Sequence, residues 1–529
     1  MFAGLVTPLS ANRAAAALCP ATSIGRVSLG SATVRGPPPL CERFTRPKAW
    51  LSAGIRSDPA HSQDGRRTVD KATPESLQAA IDRVGNAVDL IRNQPIRAFS
   101  HGLGFVPGEF TNWREEALAW HDSCALLDQS HHMVDLFIEG PDTVRLLEHL
   151  GVNSFAGFGK DRAKQFVAVN HDGFYIGDAV LFGLDDTSVD LVGRRTVIDW
   201  VEFNARSGEW DVTVERDPQS VQRAGRPPKL YRFEVQGPSA GPLVEKLTGQ
   251  PIPDVKFFGM TTLTIAGRQV RALRHGMAGQ VGFELFGPWE EGAEIYEAIR
   301  RSGEEFGIKQ VGAVAYSTAN LESGWIPGPM PAIFTDDNLA AYRAWLPATS
   351  AGSLGGSLNS PDITDYYVTP YDLGYGRLVK FDHDFVGRDA LRARAGEPHR
   401  HKVTLVWNAD DVARVFSSLW TPGPTYKYFS LPKARYGQFQ LDSVLSEGRR
   451  SGVSMDCGYV VRDQAVVSLA VVDEEIARPG TEVRVLWGES PRSAKPTVEP
   501  HEQIEIRATV ESAPLDRFAR TKYRTAPQA

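Results

Sequence analysis

Three glycines, Gly276, Gly279 and Gly282, stand within seven residues, and the alternating run Phe283-Glu284-Leu285-Phe286 follows at once. Glycine permits positive φ and close approach of backbone to a ligand. The alternation predicts a short strand with one carboxylate, Glu284, between apolar neighbours. An unpaired carboxylate beside an apolar wall is costly, and a flat heterocycle with adjacent N–H donors, such as a pterin, would satisfy it. The plainer alternative is a hairpin turn carrying an edge glutamate. Elsewhere Arg194 follows a strand pattern and a glycine in V-D-L-V-G-R-R-T. A planar guanidinium meets a carboxylate with two parallel hydrogen bonds. Tyr316, in G-A-V-A-Y-S-T, offers a hydroxyl whose unperturbed pKa is about 10. Adjacent His131 and His132, taken as strand residues, face opposite ways, so at most one lines a pocket. No third ligand at metal spacing accompanies them.

These groups need elements to hold them. Residues 74–93 carry apolar positions at helical spacing, with Thr73 as N-cap and Pro74 at the first helical position. Residues 112–124, 141–150 and 289–306 also predict helices, and 165–169, 178–184, 187–193 and 230–236 predict strands. Arg195, beside Arg194, is expected to point elsewhere on a strand in a structural role. This mixture means α+β rather than regular βαβ alternation. Gly352 to Gly356, with nearby serines, predicts a flexible loop. After about residue 398 come K-V-T-L-V-W, A-V-V-S-L-A-V-V and T-E-V-R-V-L-W-G, which describe a small all-β barrel or sandwich.

With 529 residues, 42% of them hydrophobic, the chain can bury a large core in two or three domains. A net charge of −6 gives no reason to expect nucleic-acid binding. Four scattered cysteines without C-x-x-C or His/Cys spacing point to a reducing compartment, taken as the cytoplasm, and to no structural zinc. No run of 18 apolar residues predicts a membrane helix, so no membrane partner is expected. Residues 1–68 differ from the rest, with nine Lys/Arg against three Asp/Glu, seven prolines and no sustained periodicity. An Arg-rich, acid-poor start fits a transit peptide, but prolines at 37, 38 and 39 break any amphipathic helix. The expectation is a disordered or misassigned N-terminal extension, with Val69 as a candidate non-AUG start.

The segment Arg274 to Glu284 resembles the R-x-G-x-x-G-x-x-G-[FY]-E stretch of the folate-dependent aminomethyltransferase family, which includes the glycine-cleavage T protein. Four further stretches resemble that family in the same order: A-L-L-D-Q-S-H-H-M-V (125–134), V-Q-G-P (235–238), V-G-A-V-A-Y-S-T-A-N-L-E-S-G (311–324) and H-D-F-V-G-R-D-A-L (383–391). The likeness covers roughly residues 75–525. The segments H-H-M-V-D-L, L-E-S-G-W-I-P and L-G-Y-G-R-L-V-K-F-D-H-D-F-V-G-R look like one branch of the family, the tetrahydrofolate-dependent aromatic O-demethylases of vanillate and syringate type.

The resemblance implies a multi-domain folate-binding α+β fold with a C-terminal all-β barrel. Residues 69–397 would form the catalytic region and 398–529 the barrel, with 408–450 an insertion that shorter aminomethyltransferases lack. It implies transfer of a methyl group from a methoxylated aromatic acid (vanillate, syringate or 3-O-methylgallate) to N5 of tetrahydrofolate, without a metal, by a monomer or homodimer. Arg194 would hold the substrate carboxylate. Tyr316, standing where aminomethyltransferases tend to have arginine, would protonate the departing phenoxide, with His132 and Gln129 on the phenolic side. Glu284, Gln236, Gln165 and Trp325 would hold the pterin, Trp325 by stacking. Residues 99–105 would border the substrate. The aspartate pair of aminomethyltransferases appears here as Gly177-Asp178, which tells against aminomethyl chemistry. Two other functions fit less well: a folate-dependent transferase using an amine or sulfonium donor, and a non-catalytic folate-binding module. The latter carries a K-G-C-Y motif, and this chain has no cysteine between Cys124 and Cys457.

Overall fold

Alternation of apolar and polar residues along strands builds two sheets and decides which faces turn inward. The computed structural model describes residues 74–95, 104–433 and 436–526. The extension 1–68 and residues 99–103 of the expected pocket border lie outside the described residues. The first sheet runs, edge to edge, Ile308–Val311, Cys124–Asp128, Leu230–Gln236, Gly282–Pro288, Arg268–Arg274, Met260–Ile265. Phe233, Val235, Phe283 and Leu285 pack on one side with Leu243, Val244, Ile295 and Ile299 of helices Ala240–Thr248 and Trp289–Gly303. Burying each such side chain contributes about 1.5–3 kcal/mol. Because side chains alternate along a strand, Arg232, Glu234 and Gln236 turn to the opposite face, and Glu284 stands directly across from Glu234 there. All four are buried.

The second sheet, antiparallel throughout, runs Ala163–Val169, Tyr175–Gly183, Ser188–Gly193, Val134–Glu139, Thr213–Asp217. Helix Arg195–Ser207 lies on it through the fully buried Val197, Ile198 and Val201. The helix comes so close that a Cβ at Gly177 would sit 2.7 Å from the Val197 Cβ. Only glycine fits position 177, which gives a steric reason for the absence of an aspartate pair. Arg232 ties the two sheets together. Its guanidinium donates to Asp190, lies 3.5 Å from Asp135, and donates to Glu284 at 3.2 Å, between the rings of Phe182 and Phe286.

The C-terminal strands close into a barrel in the order His401–Trp407, Ala465–Val472, Arg449–Val460, Asp442–Ser446, Glu482–Trp487, Ile504–Ser512. Trp407, Phe429 and Trp487 interlock in its core. Beyond the barrel, residues 513–526 return as a strap, including the short helix Arg517–Thr521, onto the glycine-rich turn.

Several expectations need correction. The stretch 74–93 forms two helices, Leu77–Val84 and Ala87–Arg92, because Gly85 takes a left-handed conformation (φ 78°) and Asn86 caps the second. The first is capped by Ser76, and Thr73 lies outside the described residues. Gly352 to Gly356 is no flexible loop: Leu354–Gly355 pairs with Phe439–Gln440 and is buried. The stretch 408–450 contains a helix, Ala409–Ser417, and one of the barrel's own strands, Asp442–Ser446. Arg195 opens a helix, and His131 and His132 sit in a turn between strands. No helix among the described residues is long and apolar enough to cross a membrane.

Candidate active site

Helix Ala313–Tyr316 carries Tyr316 at its last turn, and the turn after strand Cys124–Asp128 carries His132. The Tyr316 hydroxyl lies 3.1 Å from the His132 Nε2, with the rings edge to face. Burial drives the imidazole down to about 4 against a partly opposing Asp128, so His132 is neutral at pH 7. Burial also pushes the Tyr316 phenol well above its usual range, reinforced by Glu234 and Glu284, so it stays protonated. The pair is therefore neutral, desolvated and able to share one proton. His131 turns away to Ser220, 2.8 Å from its Nδ1, and to Asp128.

Both Tyr316 and His132 line a cavity of about 230 Å³. Arg194 and Trp325 line it too. Arg194 is the cap residue of helix Arg195–Ser207, and its Nη1 donates to the Pro327 carbonyl. A Cβ at Gly328 would lie 2.7 Å from that Nη1, so glycine makes the room the guanidinium occupies. Gln438 and Phe439 reach the same cavity from the segment that precedes the barrel strand Asp442–Ser446. A volume this small suits a single substituted ring, since pockets for drug-sized ligands run to about 300–1,000 Å³.

Asp178 lines the cavity and gathers four donors. Trp325 Nε1 (3.0 Å), Tyr375 Oη (2.9 Å) and Gln165 Nε2 (2.6 Å) donate to its Oδ2, and Tyr175 Oη (2.7 Å) to its Oδ1. Four donors from different directions fix the orientation of that carboxylate. Trp325 is thus held by its indole edge, and Gln165 is spent on Asp178 and Tyr375 rather than pointing at a ligand. Lys402 packs over Tyr375, and burial lowers its ammonium to about 8, with Asp178 opposing.

The other expected residues stand behind the cavity wall. Gln129 donates to Glu234, whose Oε1 accepts the Met277 N–H at 2.6 Å. Met277 lines the cavity. Glu284 is not isolated, as its sequence neighbours suggested: Arg232 supplies a partner, and no other hydrogen bond reaches that carboxylate among the described residues. Burial nonetheless raises its pKa, with Arg232 opposing. Gln236 accepts the Ala278 N–H at 3.1 Å, while its buried Nε2 has no partner among the described residues. The three glycines are close to the chain itself. A Cβ at Gly276 would meet Gln280 O at 2.2 Å, one at Gly282 Val235 O at 2.4 Å, and one at Gly279 the Ala519 Cβ at 2.7 Å. The strap completes the turn: Tyr523 Oη accepts Gly276 N–H (2.7 Å) and donates to Gly276 O (2.9 Å), and Gln280 donates to Asp516 (2.9 Å).

The expectation from sequence omitted Glu234, Arg232, Tyr375, Gln438 and Tyr523, and took Asp178 only as the remnant of a pair. A signal existed for two of them. Tyr-Arg-Phe-Glu-Val-Gln alternates strictly over 231–236, which places Arg232, Glu234 and Gln236 on one face.

Comparison with known proteins bears on this site. Residues 97–327 match the GCVT N-terminal domain. The chain is 45% identical over 453 residues to syringate O-demethylase of Sphingobium sp. (strain NBRC 103272 / SYK-6), spanning 85% of this chain and 98% of that protein. It is 30% identical over 444 residues to sesamin methylene transferase of Sinomonas sp. (strain No.22), spanning 79% and 92%. Among solved structures, glycine cleavage system aminomethyltransferase T from Bartonella henselae superposes with a TM-score of 0.51 at 18% identity, over 77% of this chain and 90% of that one. Nearly half the residues are shared along almost the whole of one relative, and the fold is shared with a far more divergent one. The chain belongs to the GCVT, or aminomethyltransferase, family.

Proposed function

We propose that this enzyme transfers the methyl group of a methoxylated aromatic acid, of the syringate or vanillate type, to N5 of tetrahydrofolate, releasing the corresponding phenol. The observation that carries the proposal is the buried neutral pair Tyr316–His132 in one small cavity with the cation Arg194. The 45% identity to a syringate O-demethylase supports it. Breaking an aryl–O–CH₃ bond expels a phenoxide, which leaves readily only if protonated as the bond breaks. Tyr316 turns its O–H to that oxygen, while His132, in the tautomer protonated at Nε2, donates to the tyrosine oxygen and stabilises the phenolate left behind. General acid help of this kind is worth about 10²–10⁴ in rate. Burial weakens Tyr316 as an acid, but a phenoxide formed in the same dry cavity is made more basic by the same desolvation, so the proton still passes between well-matched groups. Arg194 anchors the ring through its carboxylate.

The residues present fit a pterin. Gln236 has a buried N–H donor without a partner, and one oxygen of Glu284 is bonded to nothing among the described residues, so donor and acceptor stand two residues apart in register on one sheet face. A pterin edge offers the complementary acceptor and N–H groups. Gln236 and Glu284 would hold it; tetrahydrofolate, when bound, supplies the accepting nitrogen and gives up that nitrogen's proton, which balances the one delivered to the phenol. The test is incubation with tetrahydrofolate and a panel of methoxybenzoates, following methyltetrahydrofolate and free phenol. Equal amounts of both are expected; neither appearing with any member of the panel would overturn the proposal.

A further inference from the structure

Glu234 has no assigned role, and it is among the most enclosed ionisable groups in the protein, with 0% of its surface exposed. It stands directly across the strand pair from Glu284, and like charges so placed repel. Arg232 neutralises Glu284, but no cation bonds Glu234 among the described residues. Its two oxygens join two parts of the site that are far apart in sequence. One takes the N–H of Met277 in the glycine-rich turn, and the other meets the amide of Gln129, three residues before His132.

We propose that Glu234 is a positioning residue: as a neutral carboxylic acid it ties the segment carrying Gln129 and His132 to the glycine-rich turn, holding the two substrates' sides of the site in one register. This rests on the methyl-transfer activity proposed above. The protonated carboxyl accepts the Met277 N–H at one oxygen and gives its own proton to the Gln129 carbonyl after a half-turn of that amide, which frees the Gln129 N–H for another acceptor. Ionisation would reverse that amide and set a second charge beside Glu284. The groups facing Glu234 are Glu284 across the strands, which disfavours a charge there, and the phenols of Tyr316 from its helix and Tyr523 from the strap, whose own ionisation Glu234 opposes. Burial, with Glu284, lifts the carboxyl to about 8, against the opposing Met277 and Gln129 hydrogen bonds.

The test compares wild type with Glu234→Gln and Glu234→Ala in full-length protein, measuring kcat and both KM values from pH 6 to 9.5. In wild type, kcat/KM should fall as pH passes about 8. Glutamine cannot ionise, so that fall should vanish in Glu234→Gln. Alanine removes the tie, so the KM values for the folate and the aromatic acid should rise together, each about tenfold or more, at pH 7 as well as at pH 9. An alkaline fall in Glu234→Gln identical to wild type overturns the inference, because it assigns the limb to another group such as Lys402. So do unchanged KM values in a folded Glu234→Ala; if alanine prevents folding, the glutamine profile alone decides. A wild type without methyl transfer overturns the proposed activity and this inference with it, whereas an active wild type with unaltered variants overturns this inference alone.

Discussion

Replacing Tyr316 with phenylalanine removes one oxygen and almost no volume, so its two consequences can be separated by size. In the ground state the His132 Nε2 loses a 3.1 Å contact in a buried setting. A buried polar atom deprived of its bond costs about 1–3 kcal/mol. Each 1 kcal/mol moves a domain of 150–250 residues by about 2–4 °C, and a larger unit by less, so the melting temperature should fall by a few degrees at most. In the transition state the loss is that of the general acid, about 10²–10⁴ in rate, or about 3–5 kcal/mol at 1.36 kcal/mol per factor of ten. The rate term exceeds the stability term, and in the proposed reaction the hydroxyl is called on mainly as the aryl ether bond breaks. Steady-state methyltetrahydrofolate formation should therefore show kcat and kcat/KM falling together with both KM values nearly constant. The deficit should shrink for methoxy acids whose product phenol is more acidic, since they depart without help. A phenylalanine variant with near-normal turnover, or a deficit independent of the leaving phenol, would refute the general-acid role and shift attention to His132.

Arg194→Ala should raise KM for carboxylated methoxyarenes by the equivalent of about 2–5 kcal/mol, the usual loss on removing one partner of a desolvated charge pair, and leave folate affinity unchanged; unaltered kinetics on vanillate and syringate would end that assignment. Glu284→Gln should weaken tetrahydrofolate binding in calorimetric titration while the aromatic acid binds as before, because Arg232 keeps Asp190 and Asp135 as partners; equal folate affinities would reduce Glu284 to a structural residue. Burial holds His132 and His275 at about 4 in the folded protein against 6.5 when free. The unfolded chain then binds more protons between these values, so the stability these groups permit is complete above pH 6.5 and is lost as pH falls toward 4. His275→Phe should flatten the acid-side decline in melting temperature, and superimposable pH curves would contradict this.

The parts of the site that could be read from sequence are those whose chemistry sits in a local pattern. The glycine-rich turn, the strand holding Glu284, and Arg194 at a strand end are properties of ten or fewer consecutive residues. The nearness of Tyr316 to His132 depends on a helix and a turn 184 residues apart, and only the resemblance to a known family suggested it. Asp178 was visible as a lone acid in Y-I-G-D-A-V, but its donors come from 165, 175, 325 and 375, and no window of sequence joins those positions. Glu284 was misjudged for the same reason: its apolar sequence neighbours face the helices, while Arg232 reaches it across the neighbouring strand. In the fold, helix periodicity over 74–93 survived the break at Gly85 because both halves bury the same kind of residue. Leu354–Gly355 went unrecognised as a strand since glycine and serine hide the pairing that Phe439–Gln440 imposes.

The strap gives the site a place in time as well as in space. Gly276 and its partner Tyr523 are 247 residues apart. At a translation rate of about 5–20 residues per second, roughly 10–50 s separate their synthesis. Throughout that interval the turn has been made but its closing hydrogen bonds have not, and water must hold the Gly276 amide and carbonyl. The sheets and much of the barrel can condense as they emerge, whereas the glycine-rich turn waits for the chain beyond the barrel. The hydrogen bonds that close the glycine-rich turn are therefore among the last contacts the described residues can make during synthesis.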